Sequence, residues 1–330
     1  MNDCSQWETT KKERTMHQEN RKMKDILVGY TGFVGGNIAA KHQFEGLYNS
    51  KNIKEAYNTN PDLMVYSGIR AEMFLANKFP EKDLASMDEA IENIKNINPK
   101  RLVLISTISV YDNPVGVDED VIINEDKLTA YGKNRRYLEK WVMEHYQNCL
   151  IVRLPALYGE GIKKNFIYDM IHFIPSLLNE TKYRELGAKD KFISEVYSIQ
   201  DNGFYKCNVT DNEGLKRLKC HFEALGFSAL NFTDSRSQYQ FYNLAYLWQH
   251  IDVALQKGIR LLNPATEPVS ISELSEYVLG KGFVNEVKEN YPVQDYRCKN
   301  AETFGGKDGY LFTKEFVMRD IKNFINNRTL

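Results

Sequence analysis

The stretch Ala130–Val142, AYGKNRRYLEKWV, carries the residue types best suited to proton chemistry. Read as a helix, it sets Tyr131, Arg135, Leu138 and Val142 on one face, because side chains three and four positions apart stack above one another. A phenol titrates near about 10, so at neutral pH it acts as a base only where a cation favours the phenolate. Arg135, one turn on, supplies a permanent positive charge. The structural alternative is a core tyrosine with its hydroxyl satisfied and an arginine lying along the surface.

A second group of residues suits phosphate. Asp25–Val28 reads as a short buried strand, Gly29-Tyr30-Thr31-Gly32-Phe33-Val34-Gly35 as a turn, and Gly36–Phe44 as a helix. In a strand–turn–helix context the first glycine permits the tight turn and the second lets a pyrophosphate approach the backbone. The third lets helix and strand pack closely. The spacing is G-x-x-G-x-x-G, and a plain strand-to-helix turn is the competing reading. The next strand, Gly46–Tyr48, ends in Asn49, Ser50 and Lys51, where a carboxylate would accept from the 2′-hydroxyl of NAD. Donors and a positive charge suit a 2′-phosphate instead, which tilts the reading from NAD towards NADP.

These groups need a scaffold. Pro61–Tyr66 reads as a strand leading into Ser67-Gly68-Ile69-Arg70, and Ser86-Met87-Asp88-Glu89 has capping-box spacing for a helix through Ile97. Leu102–Ile105 is a wholly apolar strand ending in hydroxyls at Ser106, Thr107 and Ser109, where open α/β sheets place ligands. After the Tyr131 helix come the strand Cys149–Leu154 and the turn from Pro155 to Gly161. This alternation predicts an α/β, Rossmann-type, doubly wound parallel sheet. Residues 1–24 read as a flexible polar tail, 25–160 as a dinucleotide-binding domain, and 161–330 as a smaller mixed substrate region, with 238–268 returning to the first domain. Within that region Asn165–Leu178 reads as a helix, Leu186–Ser237 shows weak periodicity, and Ser270–Glu273 caps a helix stopping at Gly280. A last helix runs over Thr313–Asn326.

Composition excludes several classes. With 43 Lys and Arg against 44 Asp and Glu, the net charge of −1 gives no electrostatic case for a nucleic-acid partner. No apolar run approaches the roughly 20 residues that span a bilayer. The five cysteines, Cys4, Cys149, Cys207, Cys220 and Cys298, are scattered and form no C-x-x-C, which speaks against a disulfide framework or a zinc site. These features fit a cytoplasmic protein with no membrane partner and no bound metal.

Taken together, GYTGFVG, YSGIRA, STISVY, YGKNRRYLE and VRLPALYGEG stand in the order and spacing of the extended short-chain dehydrogenase/reductases. The sequence resembles their nucleotide-sugar epimerase/dehydratase branch, proteins like UDP-glucose 4-epimerase. The likeness is strong to Gly161, weaker through the centre, and recovers at LLNPATEPVSISEL. It implies an NAD(P)-dependent oxidoreductase or epimerase acting on a nucleotide-activated sugar. Gly29, Gly32, Phe33, Val34 and Gly35 would contact the pyrophosphate, Asn49 and Lys51 would lie near the adenosine ribose, and Ser67, Gly68, Arg70 and Pro155 along the rest of the dinucleotide. Tyr131 and Thr107 would be the catalytic hydroxyls. It also implies a homodimer through the helix that carries Tyr131, with Trp141 in the contact.

The sequence departs from the family pattern at three positions. Arg135 stands where the family has a lysine; arginine can bond a ribose and carry charge but cannot relay a proton. Ala156 replaces a substrate-contacting asparagine, and Ile108-Ser109 replaces the Asp-Glu pair of the sugar 4,6-dehydratases. Water elimination then lacks its acid and base. The alternatives are an NADPH-dependent keto-sugar reductase and a weakly active or non-catalytic nucleotide-binding homologue.

Overall fold

The computed structural model describes residues 24–328. The tail reading of residues 1–24 falls, but for Lys24, outside them. Six strands form the main sheet: β1 (Asp25–Val28), β2 (Gly46–Tyr48), β3 (Leu63–Tyr66), β4 (Leu102–Thr107), β5 (Cys149–Leu154) and β6 (Leu261–Leu262). Their spatial order is β6-β5-β4-β3-β1-β2. Strand β1 lies between β2 and β3, parallel to both, with Ile26 opposite Gly46 and Met64; β3 runs parallel to β4. All residues of β1, β3 and β5 are buried, as runs such as DILV and CLIVRL require when both faces are covered. This is the α/β, Rossmann-like architecture expected from the sequence.

The chain divides into two compact units. The first comprises the described residues up to Ser106, with Thr129–Ile151 and Ala254–Arg260. It holds helices α1 (Phe33–Ala39), α2 (Met73–Lys78), α3 (Pro80–Ile97) and α4 (Ala130–His145). Helix α3 begins six residues before the capping box read from Ser86. Pro80 takes the first helical position, where its missing N–H costs nothing, and Glu81 and Asp83 fill the first turn. Ser86 lies inside the helix, its hydroxyl donating to the Lys82 carbonyl at 3.2 Å. Helix α1 also starts earlier and ends sooner than the Gly36–Phe44 read from sequence.

The second unit comprises Thr107–Leu128, Val152–Val253 and Leu261 onward. One core gathers Tyr158, Phe166, Phe241, Val269, Leu274, Val317 and Ile321, with the capped helix Ile271–Leu279 and the final helix Lys314–Asn326 packed on it. The predicted caps are present: Ser270 and Glu273 form a capping box, and Gly280 ends the first helix in the left-handed conformation. The helix read over Asn165–Leu178 is interrupted. It spans only Phe166–Ile171, and Leu177–Leu178 is a strand in a three-stranded sheet with Tyr197–Ile199 and Tyr205–Cys207. The weakly periodic stretch after Leu186 folds around a separate core of Leu178, Leu186, Ile193, Tyr197, Leu218 and Phe222. Its helices include the short Lys191–Val196 and the longer Asn212–Ala224, whose Leu218 and Phe222 are buried in this core.

Candidate active site

The glycine turn shows why each glycine stands where it does. Gly29 has φ of +91°, and a Cβ there would lie 2.6 Å from the Ser67 carbonyl. A Cβ on Gly35 would meet the Gly29 oxygen at 2.2 Å and the Ser67 hydroxyl at 2.7 Å. The loop and the start of α1 therefore close on β1 and β3 only without side chains. Gly32 differs: it is exposed, and a Cβ there would meet only the Gly29 oxygen, at 3.3 Å. It caps α1 with no side-chain bond, so the first-turn N–H groups of Phe33 and Val34 take no acceptor from the cap. An accessible backbone with first-turn donors fits the phosphates of a dinucleotide.

The flanking residues are shaped by local bonds. Gly29 N–H donates to the Tyr48 carbonyl at 2.7 Å, which ties the turn to the end of β2. There the Asn49 side-chain oxygen accepts the Lys51 N–H at 2.9 Å. The amide NH2 is then the group that Asn49 has to offer, a donor. The Ser67 hydroxyl donates to the Val28 carbonyl at 3.0 Å, bracing β3 against β1 beside the turn.

Helix α4 buries Tyr131, Arg135, Leu138 and Val142, the face expected from spacing, and leaves Lys133 exposed. Tyr131 is 6% exposed. Its backbone N–H donates to Asn77 Oδ1 at 2.9 Å, and the Arg135 guanidinium carbon sits 4.3 Å from its ring centroid. Arg135 does not lie along the surface. One end of its fork donates to Asp83 Oδ2 at 2.6 Å and the other to the Arg70 carbonyl at 2.7 Å. Asn134 adds a bond to the same Asp83 oxygen at 2.9 Å. On the same helix Glu139, fully buried, accepts from Ser106 at 2.6 Å and pairs with Arg136 at 3.1 Å.

The first unit thus brings together Gly29, Gly32, Phe33, Val34, Gly35, Ser67 and Gly68 around the turn, with Asn49 and Lys51 beside β2. It bonds Arg135 to the Arg70 carbonyl and sets the same guanidinium against the Tyr131 ring. Thr107 and Pro155 belong to the second unit. There the Thr107 hydroxyl caps the short 3₁₀ turn Ile108–Val110, accepting the Ser109 N–H at 3.2 Å. Sequence reading passed over Asp83, Asn77 and Glu139. The available signal was Pro80 followed by acidic residues, a helix start that placed Asp83 on a packed turn.

Elsewhere in the second unit a cavity of about 540 Å³ has an apolar floor of Phe173, Ile174, Val209 and Leu215, with Lys206, Lys216 and Lys219 around it. None of the residues named from sequence as catalytic or cofactor-binding lines it. Among the described residues no group of three or more His, Cys, Asp or Glu side chains is placed to hold a metal, and no helix is long and apolar enough to cross a membrane.

The family model described as the NAD dependent epimerase/dehydratase family matches residues 14–201. The chain belongs to that family. No curated protein sequence matches it. Among solved structures it is similar to dTDP-4-dehydrorhamnose reductase from Bacillus anthracis in complex with NADP, at 15% identity and TM-score 0.62, covering 94% of this chain and 99% of that one. It is similar also to UDP-glucose 4-epimerase from Thermotoga maritima with UDP-glucose, at 12% identity and TM-score 0.60, covering 92% and 98%. A third, the Bordetella bronchiseptica enzyme WbmG in complex with NAD and UDP, gives 16% identity and TM-score 0.59 over 94% and 97%. The fold is that of NAD(P)-dependent nucleotide-sugar epimerases and reductases.

Proposed function

We propose that this chain is an NAD(P)-dependent oxidoreductase or epimerase acting on a nucleotide-activated sugar, with Tyr131 as its acid/base. The observation that carries the reading is the pairing, within one unit, of a glycine turn with an accessible backbone and a buried tyrosine set under a guanidinium. Gly29, Gly32, Phe33, Val34 and Gly35 would hold the phosphates of the dinucleotide, Asn49 and Lys51 its adenosine ribose, and Ser67, Gly68, Arg70 and Pro155 the remainder. When bound, NAD(P) supplies or accepts the hydride. The protein's part is the proton: Tyr131 takes it from or returns it to a sugar hydroxyl, and Thr107 orients the same oxygen. The donor character of Asn49 and the nearby Lys51 supports NADP over NAD. A homodimer through the helix that carries Tyr131, with Trp141 in the contact, belongs to the same reading.

Incubation with NADPH or NAD⁺ and a panel of UDP-, dTDP- and GDP-linked sugars and 4-keto sugars tests the reading. Stoichiometric NADPH consumption identifies a reductase, and interconversion of sugars without net consumption an epimerase. A second reading, a nucleotide-binding homologue that does no redox chemistry, is favoured by one observation. Arg135, which stands at the family's lysine position, is bonded to Asp83 and to the Arg70 carbonyl. Tight dinucleotide binding with no product from any member of the panel would establish that reading instead.

A further inference from the structure

We infer that Asp83 is a positioning residue for Tyr131: its carboxylate holds the Arg135 guanidinium in place beside the phenol ring, so that the guanidinium serves the tyrosine and not the dinucleotide. This rests on the reading of Tyr131 as acid/base. The Arg135 side chain is 5% exposed and that of Asp83 12%, and such a pair is kept only when each charge finds the other with good geometry. Here both forks of the guanidinium are engaged, one on Asp83 and one on the Arg70 carbonyl.

A planar fork gripped at both ends is fixed in place, and its central carbon lies 4.3 Å from the Tyr131 ring centroid. The backbone of Tyr131 is tied down as well. Its own N–H is bonded to Asn77, and the neighbouring Asn134 donates to Asp83 and to the Pro80 carbonyl, at 2.9 and 3.0 Å. Asp83 is therefore the node at which two residues of α4 meet the first turn of α3. A lysine at position 135 would bring one ammonium to Asp83 but no rigid fork to span Asp83 and the Arg70 carbonyl. The departure from the family's lysine and the acid at position 83 are two halves of one device.

The test uses the full-length protein and two readouts that need no turnover. The first is NADPH affinity by calorimetry for wild type and for the neutral pair Asp83→Asn/Arg135→Gln, which keeps a hydrogen bond and avoids an unpaired buried charge. The second is the rate of Tyr131 nitration by tetranitromethane, followed by peptide mass spectrometry, for wild type, Asp83→Asn and Asp83→Glu. We expect unchanged NADPH affinity in the neutral pair. We expect Tyr131 nitration to run several times faster in Asp83→Asn and to return towards wild type in Asp83→Glu, with other tyrosines unaffected. A loss of NADPH affinity of about tenfold or more, the size of a charged hydrogen bond, would make Arg135 a cofactor ligand and overturn the inference. So would a Tyr131 nitration rate indifferent to Asp83→Asn. Absence of NADPH binding by the wild type would count against the proposed function alone, and the nitration experiment would still decide the role of Asp83.

Discussion

Two buried tyrosines, one in each unit, sit beside charges of opposite sign. Tyr131 in the first unit lies under the guanidinium of Arg135. Tyr158 in the second donates its hydroxyl to Asp320 at 2.6 Å, and Asn243 donates to the same carboxylate oxygen at 2.7 Å. Burial, and then Asp320, push the Tyr158 phenol far above its ordinary value. Its proton is committed to the fold. A third phenol, Tyr242, is fully buried and pushed up by desolvation, and is bonded to His250 Nδ1 at 2.7 Å. Burial alone thus does not make a tyrosine a candidate for chemistry. The sign of the neighbouring charge is what sets Tyr131 apart from Tyr158, and the proposal for Tyr131 rests on that difference.

The comparison breaks most easily at Tyr131. Tyr131→Phe should lower turnover by about 10²–10⁴-fold and leave thermal stability and dinucleotide affinity in place, as steady-state kinetics and calorimetry would show. Full turnover in that variant would put the chemistry elsewhere. Next in size is Asp83→Ala, which leaves a buried guanidinium without its carboxylate. Urea unfolding should report a loss of about 3–5 kcal/mol, and much less for the neutral pair Asp83→Asn/Arg135→Gln.

The phenol–imidazole pair gives a pH signature. Desolvation lowers His250 to about 4 from its ordinary 6.5, so the unfolded chain binds the proton more readily. The stability this neutral histidine contributes is present above pH 6.5 and is lost as pH falls towards 4, by about 3 kcal/mol in all. Unfolding midpoints of His250→Asn should therefore depend less on pH across that window than those of wild type. The smallest effect belongs to Tyr158→Phe, which removes one charge-assisted bond to Asp320 while Asn243 keeps its own. A loss of about 2 kcal/mol with unaltered turnover is expected. A collapse of turnover there would erase the distinction between the two tyrosines.

Where a residue had a local reason for its place, the sequence disclosed it. The buried runs DILV and CLIVRL, the Ser270 box with its Gly280 stop, and the inward face of α4 follow from short-range pattern and appear in the structure. Ser86 misled because an S-x-x-E spacing is common inside helices too, and the stronger signal was Pro80 with acids in the next turn. That one displacement hid Asp83, whose role depends on a residue 52 positions away. The lobe after Phe173 was read poorly for a different reason: its core joins short strands and helices that are far apart in sequence, and the one well-patterned piece, Asn212–Ala224 with its Asp211 cap, was not singled out. Arg135 was visible as a departure from pattern, but its partner was not, since nothing local links positions 83 and 135.

The central claim is that Tyr131 moves a proton while a nicotinamide moves the hydride. It is tested most directly with NADPH carrying deuterium at the transferable position. The labelled cofactor is incubated with a panel of nucleotide-linked keto sugars, and the products are read by mass spectrometry. The account predicts deuterium on a sugar carbon with wild-type protein and almost none with Tyr131→Phe, both proteins binding NADPH equally. Equal labelling by the two proteins, or bound NADPH that never passes its deuterium on, would contradict it.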